Sequence, residues 1–348
     1  MYFSGTYFHN FRNLYPERRE WSPGFNLITG PNGSGKTNFL EGLNILSGWG
    51  PLEKKAKISN LVKWNSESSS LWGMACGEER SEMFASLRAR CQLKSGGKAI
   101  GAAEMRGHVP VLSFLPGHMS LLKGGASYRR YLLDMVGALM SVSYAKILRD
   151  YRVVLRQKSA MLRRGRDARA ADRLLSSLGS WLWTARDEIL KMIYTETENF
   201  RNLLPAPMDF FFVRGGGGLD EKASDDFRKS LAGARDKEIA SRMPLVGPQR
   251  DDIKFMCGGI EASCALSRGQ SRRAVSAIVL ASSLVVERRL GRKPVLIFDE
   301  ITSELDESGR TSSVEALVGT GCQVFATTTD PMASDGVEIH KMRDGRFL

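Results

Sequence analysis

The sequence predicts an α/β fold in which a mainly helical lobe is inserted into a lobe of mixed sheets and helices. A glycine-rich loop at 30–37 stands between a predicted strand and a predicted helix, and an apolar strand at 295–298 ends in two carboxylates. Between about 127 and 194, apolar residues recur every three or four positions, which is typical of packed helices. We therefore expect a discontinuous first lobe and one insertion. The predicted bounds are 1–115 with 245–348 for the first lobe, and 116–244 for the helical lobe.

Each element of the first lobe has its own pattern. Apolar residues predict strands at 1–8 and 25–29, and the second strand leads through the loop into a helix over 36–46. Short apolar runs separated by polar turns over 70–115 indicate an antiparallel sheet. A largely apolar helix is expected over 271–290. The first lobe should thus contain both parallel and antiparallel strands.

Composition narrows the class of partner. The chain has 348 residues, 42% of them apolar, and a formal net charge of +12, which favours a polyanion such as DNA, RNA, an acidic protein or a membrane surface. Five cysteines without a CxxC pair and four scattered histidines disfavour a disulfide framework and a zinc site. With neither a bilayer-spanning apolar stretch nor a secretory leader pattern in the sequence, we expect a cytoplasmic protein without a membrane partner.

The glycine-rich loop fits the phosphate-binding pattern GxxxxGK[ST]. Its backbone N–H groups would converge on the β-phosphate of ATP, Lys36 would approach the β- and γ-phosphates, and Thr37 would offer a hydroxyl to Mg²⁺. An ordinary glycine-rich turn would not also require the Lys-Thr pair. The predicted nucleotide-binding residues here are Gly30, Pro31, Asn32, Gly33, Ser34, Gly35, Lys36, Thr37 and Asn38.

The apolar strand Val295–Phe298 and the carboxylates that follow it match a Walker B element. Asp299 would hold Mg²⁺, directly or through water, and Glu300 would polarise the water that attacks the γ-phosphate, with Lys36 as the second catalytic residue. Taken alone, a buried strand with acidic surface residues would explain the same pattern.

Two further motifs resemble those of ABC-class ATPases. They are a signature-like segment, Leu266-Ser267-Arg268-Gly269-Gln270, and a D-loop-like segment, Ser303-Glu304-Leu305-Asp306. A serine, a glycine and a helix N-terminus form an anion site, although such a string by itself is often an ordinary helix cap. We assign Ser267, Gly269, Gln270 and Asp306 to nucleotide binding. In this class the signature faces the nucleotide of a second copy, so the resemblance implies an ATP-dependent homodimer.

The order of motifs along the whole chain resembles the RecF family. The matching segments are Asn10 to Asn13, Gly30 to Glu41, Leu245 to Asp252, Ser267 to Arg273 and Gln323 to Asp330. The resemblance implies an ATPase of bacterial DNA replication and recombinational repair, active after DNA damage and in the SOS response. It would bind double-stranded and gapped DNA at the nucleoid, with RecR and RecO as partners. The chain departs from the family pattern at three places: Phe114 to Met119 lacks an acidic residue, Gln249 stands where histidine is usual, and the segment after Gly48 is unlike the family's basic turn.

A basic stretch suggests where DNA binds. From Lys146 to Arg173 there are ten Lys or Arg and three Asp on predicted helices that also carry apolar faces. A solvated helix face or a protein contact would explain the same charges. The predicted DNA-binding residues are Arg156, Arg163 and Arg164, with Arg129 and Arg130 as a second group that could equally pair with acidic residues.

Three other functions use some of the same motifs. The ATPase subunit of an ABC transporter shares the loop and the signature, but transporters carry a switch histidine where this chain has Thr329-Asp330. An SMC/Rad50-like structural head would need long heptad arms. A small-molecule kinase would use the phosphate loop without a signature or D-loop. The basic insertion and the motif order favour the RecF-like function.

Overall fold

The computed structural model describes residues 1–52, 56–114, 118–166, 168–218, 222–301, 305–329 and 335–348. The chain forms two compact units, Met1–Met119 with Arg268–Leu348, and Ser120–Ser267. The sequence placed the end of the insertion at 244, which is 23 residues too early by this division. Residues 245–267 lie in the second unit because Asp252–Cys257 pairs there, antiparallel, with Met208–Val213.

The described residues form the following strands and helices. The strands are β1 (Tyr2–His9), β2 (Arg18–Glu20), β3 (Phe25–Thr29), β4 (Ser69–Cys76), β5 (Arg80–Leu87), β6 (Cys91–Ser95), β7 (Lys98–Ile100), β8 (Val111–Phe114), β9 (Met208–Val213), β10 (Asp252–Cys257), β11 (Ile260–Glu261), β12 (Val295–Phe298), β13 (Val324–Thr328), β14 (Val337–Arg343) and β15 (Arg346–Phe347). The helices are α1 (Lys36–Leu46), α2 (Ala102–His108), α3 (Ala126–Met140), α4 (Val142–Arg163), α5 (Arg169–Thr197), α6 (Ala223–Ser241), α7 (Ala262–Ala265), α8 (Arg268–Leu290) and α9 (Glu307–Gly319).

The first unit contains a largely parallel sheet in the order β15-β14-β3-β13-β12-β8. Strands β3, β13 and β12 are buried along their full length, which explains their continuous apolar character. All three run parallel, so their carboxyl ends meet at one edge. Because β13 lies between β3 and β12, this edge brings together the phosphate loop, the end of β13 and the carboxylates after β12.

A second, antiparallel sheet of this unit has the order β2-β1-β4-β5-β6-β7. Strands β4, β5 and β6 of this sheet pair antiparallel within the segment 70–115, where the sequence predicts such a sheet. An aromatic core joins the end of β2 to α1 and β13: the ring centroid of Trp21, directly after β2, lies 4.9 Å from that of Phe39 and 5.2 Å from that of Phe325. Aromatic pairs at such distances add to the stabilisation from burial itself. This core fixes α1, and hence the loop before it, on the parallel sheet.

The second unit combines helices α3 to α7 with a small antiparallel sheet, β11-β10-β9. At its centre Arg186 is buried and forms ion pairs with Asp134 at 2.8 Å and Asp251 at 2.6 Å. Asp251 also accepts hydrogen bonds from Trp183 Nε1 and the Gly215 backbone N–H. The Leu245 to Asp252 motif therefore contributes a buried anchor to the helical unit. None of the described helices is long and apolar enough to cross a bilayer.

Candidate nucleotide site

The phosphate loop is held in a conformation that requires glycine. At Gly30, where φ is +158°, a Cβ atom would lie 2.1 Å from the carbonyl oxygen of Met342, so any side chain would collide with backbone. Gly33 has a φ of +81°, in the left-handed region that favours glycine. Asn13 Nδ2 donates to the Gly33 carbonyl at 3.3 Å, and the Gly345 N–H donates to the Ser34 carbonyl at 2.8 Å. The loop is thus braced on both sides by segments distant in sequence.

Lys36 is the first residue of α1 and is buried. Its Nζ donates to the carbonyl oxygens of Gly30 at 2.7 Å and Pro31 at 3.0 Å, which leaves one ammonium hydrogen for an anion. Burial lowers the pKa of Lys36, and the charges of Asp299 and Glu300 only partly offset that effect. A bound phosphate would stabilise the charged ammonium in place of the water that it loses on burial.

Ser34 provides an independent test of whether this loop fits a phosphate. Its hydroxyl is buried and has no hydrogen-bond partner among the described residues. Buried hydroxyls are normally hydrogen-bonded, so this oxygen is suited to a ligand atom. Together with the remaining Lys36 hydrogen, it fits the β- and γ-phosphates of a nucleotide.

The Walker B carboxylate Asp299 lies at the same edge of the sheet and is only 3% exposed. Its two oxygens accept different hydroxyls, from Thr37 at 2.8 Å and from Thr327 at 2.5 Å. A hydroxyl and a carboxylate in contact are the protein ligands that Mg²⁺ takes beside substrate phosphates and water. The described residues contain no cluster of three or more His, Cys, Asp or Glu that could hold a metal. Magnesium would therefore depend on the nucleotide for its other ligands.

Glu300 has an unusual backbone that two other residues hold in place. Its φ of +52° lies in the left-handed region, which costs a non-glycine residue roughly 1–2 kcal/mol. The Glu300 N–H donates to Thr327 Oγ1 at 2.9 Å, and its carbonyl accepts from Arg272 Nη2 at 2.5 Å. The Glu300 side chain is exposed. Glu300 is therefore an exposed residue at the edge of the sheet where the phosphate loop also begins.

Thr327 and Arg272 were not predicted as site residues. Thr327 could have been found from the strand order, because it lies near the carboxyl end of the strand between β3 and β12. Arg272 lies in the first turns of α8, directly after the signature, and is 8% exposed. Its burial depends on the packing of α8 beside the Glu300 backbone, which no local pattern reveals.

The signature residues lie at the start of α8. Ser267 directly precedes the helix and is exposed, while Gly269 and Gln270 belong to its first turn. Asp306 is the N-cap of α9, where its Oδ1 accepts the Gly309 N–H at 2.9 Å. Several predicted positions lie outside the described residues, namely Ser303 and Glu304 of the D-loop-like segment, 115–117 and Asp330.

The basic residues predicted to bind DNA fall into two groups. Arg156, Arg163 and Arg164 are exposed, on α4 and at its carboxyl end. Lys158, from the same basic stretch, is instead buried and pairs with Asp172 at 2.8 Å and Glu238 at 2.5 Å. The three predicted arginines are therefore accessible on the surface of the second unit, whereas Lys158 is not.

Arg129 and Arg130 are engaged inside the helical unit. Arg129 pairs with Asp252 at 2.5 Å and donates to the carbonyl of Gly124 at 2.7 Å. Arg130 donates to the backbone carbonyl of Asp251 at 2.7 Å. The alternative left open by the sequence, pairing with an acidic residue, is confirmed for Arg129. The structure thus gives both arginines structural partners and disfavours their prediction as DNA contacts.

Comparison with known proteins identifies the family. A model of the "RecF/RecN/SMC N terminal domain" matches residues 4–344. A DNA replication and repair protein RecF from Symbiobacterium thermophilum is 31% identical over 95% of this chain and 92% of the relative. The chain belongs to the RecF family. A RecF from Moorella thermoacetica is 30% identical over 92% of this chain and 88% of its own length.

Solved structures agree with the RecF fold. The chain matches "the recombination mediator protein RecF-ATPrS in RecFOR pathway" with a TM-score of 0.88 and 25% identity, over 99% of this chain and 97% of that one. An Smc head domain from Pyrococcus furiosus gives a TM-score of 0.54 at 16% identity over 99% and 95%, which shows the shared head fold alone. The predicted α/β head with a helical insertion, and the RecF resemblance, are both confirmed.

Proposed function

We propose that this RecF-family chain is an ATP-dependent DNA-binding protein of recombinational repair and replication that dimerises when it binds Mg-ATP. One observation carries the ATPase part of the proposal. The Thr37 hydroxyl and the Asp299 carboxylate are in direct contact at 2.8 Å beside the braced phosphate loop. Through this contact, the phosphate loop after β3 and the carboxylate after β12 would form one site for phosphate and magnesium. A RecF structure whose description includes ATPrS supports the choice of nucleotide.

The proposed chemistry is a slow, DNA-linked hydrolysis of ATP to ADP and phosphate. Lys36 neutralises phosphate charge, Thr37 and Asp299 hold Mg²⁺, and Glu300 orients and polarises the attacking water. Bound magnesium would neutralise the charge that develops on the phosphates. Thr327 is a positioning residue, because it bonds both Asp299 and the backbone of Glu300.

Dimerisation follows from the place of the signature. Ser267, Gly269 and Gln270 lie at the N-terminus of α8, where the helix dipole and the first-turn N–H groups favour an anion. We propose that this anion is the γ-phosphate of a nucleotide held by a second copy, with Asp306 near the same interface. Each nucleotide would then be enclosed by two chains.

For DNA, we propose contacts from Arg156, Arg163 and Arg164 to backbone phosphates of duplex beside a single-stranded gap. These side chains are exposed, whereas Arg129 and Arg130 are engaged internally. Phosphate contacts give affinity without base specificity, so the form of the DNA would be recognised rather than its sequence. The matched RecF structure is described as part of the RecFOR pathway, which supports RecO and RecR as partners. We further propose that the chain acts at the nucleoid.

Light scattering with and without Mg-ATP tests the proposed ATPase dimer. Lys36→Ala should lose ATP binding and remain monomeric. Glu300→Gln should bind ATP, hydrolyse it slowly and accumulate as a dimer, because binding is retained while water activation is lost. A Glu300→Gln protein that stays monomeric at saturating Mg-ATP, or that hydrolyses ATP at the normal rate, would overturn the proposal.

DNA binding is tested separately by charge reversal at Arg163 and Arg164. The double variant should bind duplex more weakly, and its affinity should depend less steeply on salt, by about 0.9 in log–log slope for each phosphate that is no longer neutralised. The matched control is Arg201→Glu, which changes an exposed arginine elsewhere in the second unit. Equal affinity of the double variant and this control would place the duplex elsewhere.

A further inference from the structure

A groove of about 1170 Å³ runs between α5 and α6 in the second unit. The two helices are antiparallel, because Lys158 bridges Asp172 near the start of α5 to Glu238 near the end of α6. One wall presents hydroxyl groups of α5, including Ser177 and Ser180. The groove is thus polar along one side and open to solvent.

Its charge is positive. The lining contains four Lys or Arg side chains and two carboxylates. One carboxylate, Asp172, shares the buried Lys158 with Glu238, and one of the cations, Arg228, pairs with Asp225. Arg173 and Arg235 line the end near this bridge and have no ion-pair partner among the described residues. Two unneutralised arginines at one end of a hydroxyl-lined groove favour a phosphate or another anion.

A tryptophan lines the same groove. Trp181 is 40% exposed, and its ring also packs on that of Tyr144, with centroids 5.8 Å apart. It lies eight residues after Arg173 on the same helix, a rise of about 12 Å. A large aromatic surface that stays partly in water, beside arginines and hydroxyls, is the combination that single-stranded nucleic acid uses: bases stack on the ring and cations follow the backbone.

We propose that this groove binds a single-stranded segment of nucleic acid, with a phosphate between Arg173 and Arg235 and a base stacked on Trp181. An acidic peptide would share the charge, but peptide helices and strands need several apolar anchor pockets. Apart from Trp181 and several alanines, the apolar side chain in the lining is that of Leu231, which is only 6% exposed. The lining therefore favours a nucleic acid strand.

The position of the groove connects it with the proposed duplex contacts, and the inference rests on that proposed function. The Lys158–Asp172 pair also fixes α4 and α5 as antiparallel neighbours. Arg163 and Arg164 end α4 beyond Lys158, and Arg173 lies one residue from the other end of that bridge. A strand leaving a duplex held at the end of α4 would reach the arginine end of the groove first.

The test measures the affinity of the full-length protein for a fluorescein-labelled oligothymidine of about 12 nucleotides. Trp181→Ala should weaken binding by about 5- to 150-fold, the range expected for one stacked base. Trp181→Phe should recover most of this loss because it keeps a ring. Arg173→Glu with Arg235→Glu should weaken binding and lower the log–log salt slope by about 0.7 for each phosphate that is no longer neutralised.

Matched controls separate this site from the general charge of the protein. Trp64→Ala removes a tryptophan that is 92% exposed in the first unit, and Arg201→Glu reverses an exposed arginine outside the groove. Both should leave oligothymidine affinity unchanged. The melting temperature of every variant, measured by fluorescence, shows whether a loss of affinity is due to unfolding.

Two results would overturn the inference. One is oligothymidine affinity in the Trp181 and arginine variants equal to that of their controls. The other is binding of fluorescent poly-glutamate, but not oligothymidine, through the same residues, which would make the groove a peptide site. Duplex affinity separates a failure of this inference from a failure of the proposed function. The affinity for duplex should be unchanged in the groove variants and should fall on charge reversal at Arg163 and Arg164.

Discussion

Replacing Thr327 with valine tests how the site holds its carboxylates. The Thr327 hydroxyl is completely buried, donates to Asp299 Oδ1 at 2.5 Å and accepts the Glu300 N–H at 2.9 Å. Valine has nearly the same shape but can make neither bond. The substitution therefore removes one hydrogen bond to a charged oxygen and leaves a backbone N–H without its acceptor.

The expected loss of stability follows from these two bonds. A hydrogen bond to a charged group contributes about 1.5–3 kcal/mol, and an unsatisfied buried donor costs about 1–3 kcal/mol. Because Asp299 keeps its bond from Thr37, we expect the total loss to be smaller than the sum of these two contributions, about 2–4 kcal/mol. For a unit of this size, the melting temperature should fall by about 4–16 °C.

The effect on hydrolysis should exceed the effect on binding. Without the Thr327 acceptor, Glu300 loses one of two hydrogen bonds that hold its left-handed backbone, so the carboxylate that we propose orients the attacking water is held less firmly. We expect kcat to fall by about 10- to 100-fold while the KM for ATP changes by less than about threefold. Thr327→Ser should restore kcat, since it keeps the hydroxyl. Wild-type kcat in the valine variant at a temperature where it is folded would refute this account of Glu300.

Three further outcomes follow from the buried charges. Burial lowers the pKa of Lys36, so as the pH is raised Lys36 should lose its proton, and the protein its affinity for Mg-ATP, before the Lys36→Arg variant does. Calorimetry measures this affinity, and identical pH profiles of the two proteins would contradict the expectation. Arg186→Met removes the ion pair of buried Asp251 and leaves Asp134 only its pair with Arg152, so it should cost about 3–5 kcal/mol in urea unfolding; a loss below about 1 kcal/mol would argue against the ion pairs. Burial raises the pKa of Asp226, but hydrogen bonds from Arg214 and others outweigh it, so the net pKa is lowered. Its contribution should be complete above about pH 4 and lost as pH falls through the lowered pKa; Asp226→Asn should remove this acid-side dependence, and an unchanged pH curve would exclude it.

Local motifs were sufficient to predict the phosphate loop and the two strands beside it. Lys36 donates to two carbonyls of its own loop, so the pattern carries much of the geometry, although Asn13 and Gly345 brace the loop from distant segments. The conformation of Glu300 is different in kind. Its left-handed backbone depends on Thr327, 27 residues later on a neighbouring strand, and on Arg272, 28 residues earlier. Only the assembled sheet brings these groups together.

The basic residues show the same limit for the helical unit. Arg129 was a plausible DNA contact in the sequence, but its partner Asp252 lies 123 residues away. Lys158 was counted with the exposed charges of α4, although a usable pattern existed. It follows Tyr151 and Val154 at helical spacing, and Leu162 continues that buried stripe. A lysine on an apolar stripe predicts a buried ion pair, provided that the partner carboxylates can be located.

Helix α8 links the signature to Glu300 within one chain. Its first turn carries the signature that would contact a second copy's nucleotide, and Arg272, about one turn further, bonds the carbonyl of Glu300. A helix moves as a rigid element, so a shift that seats the signature on its anion also moves the Arg272 guanidinium. At 2.5 Å this bond would be broken by a displacement of little more than about 1 Å. In the proposed dimer, the position of each Glu300 therefore depends on whether the signature of its own chain is engaged.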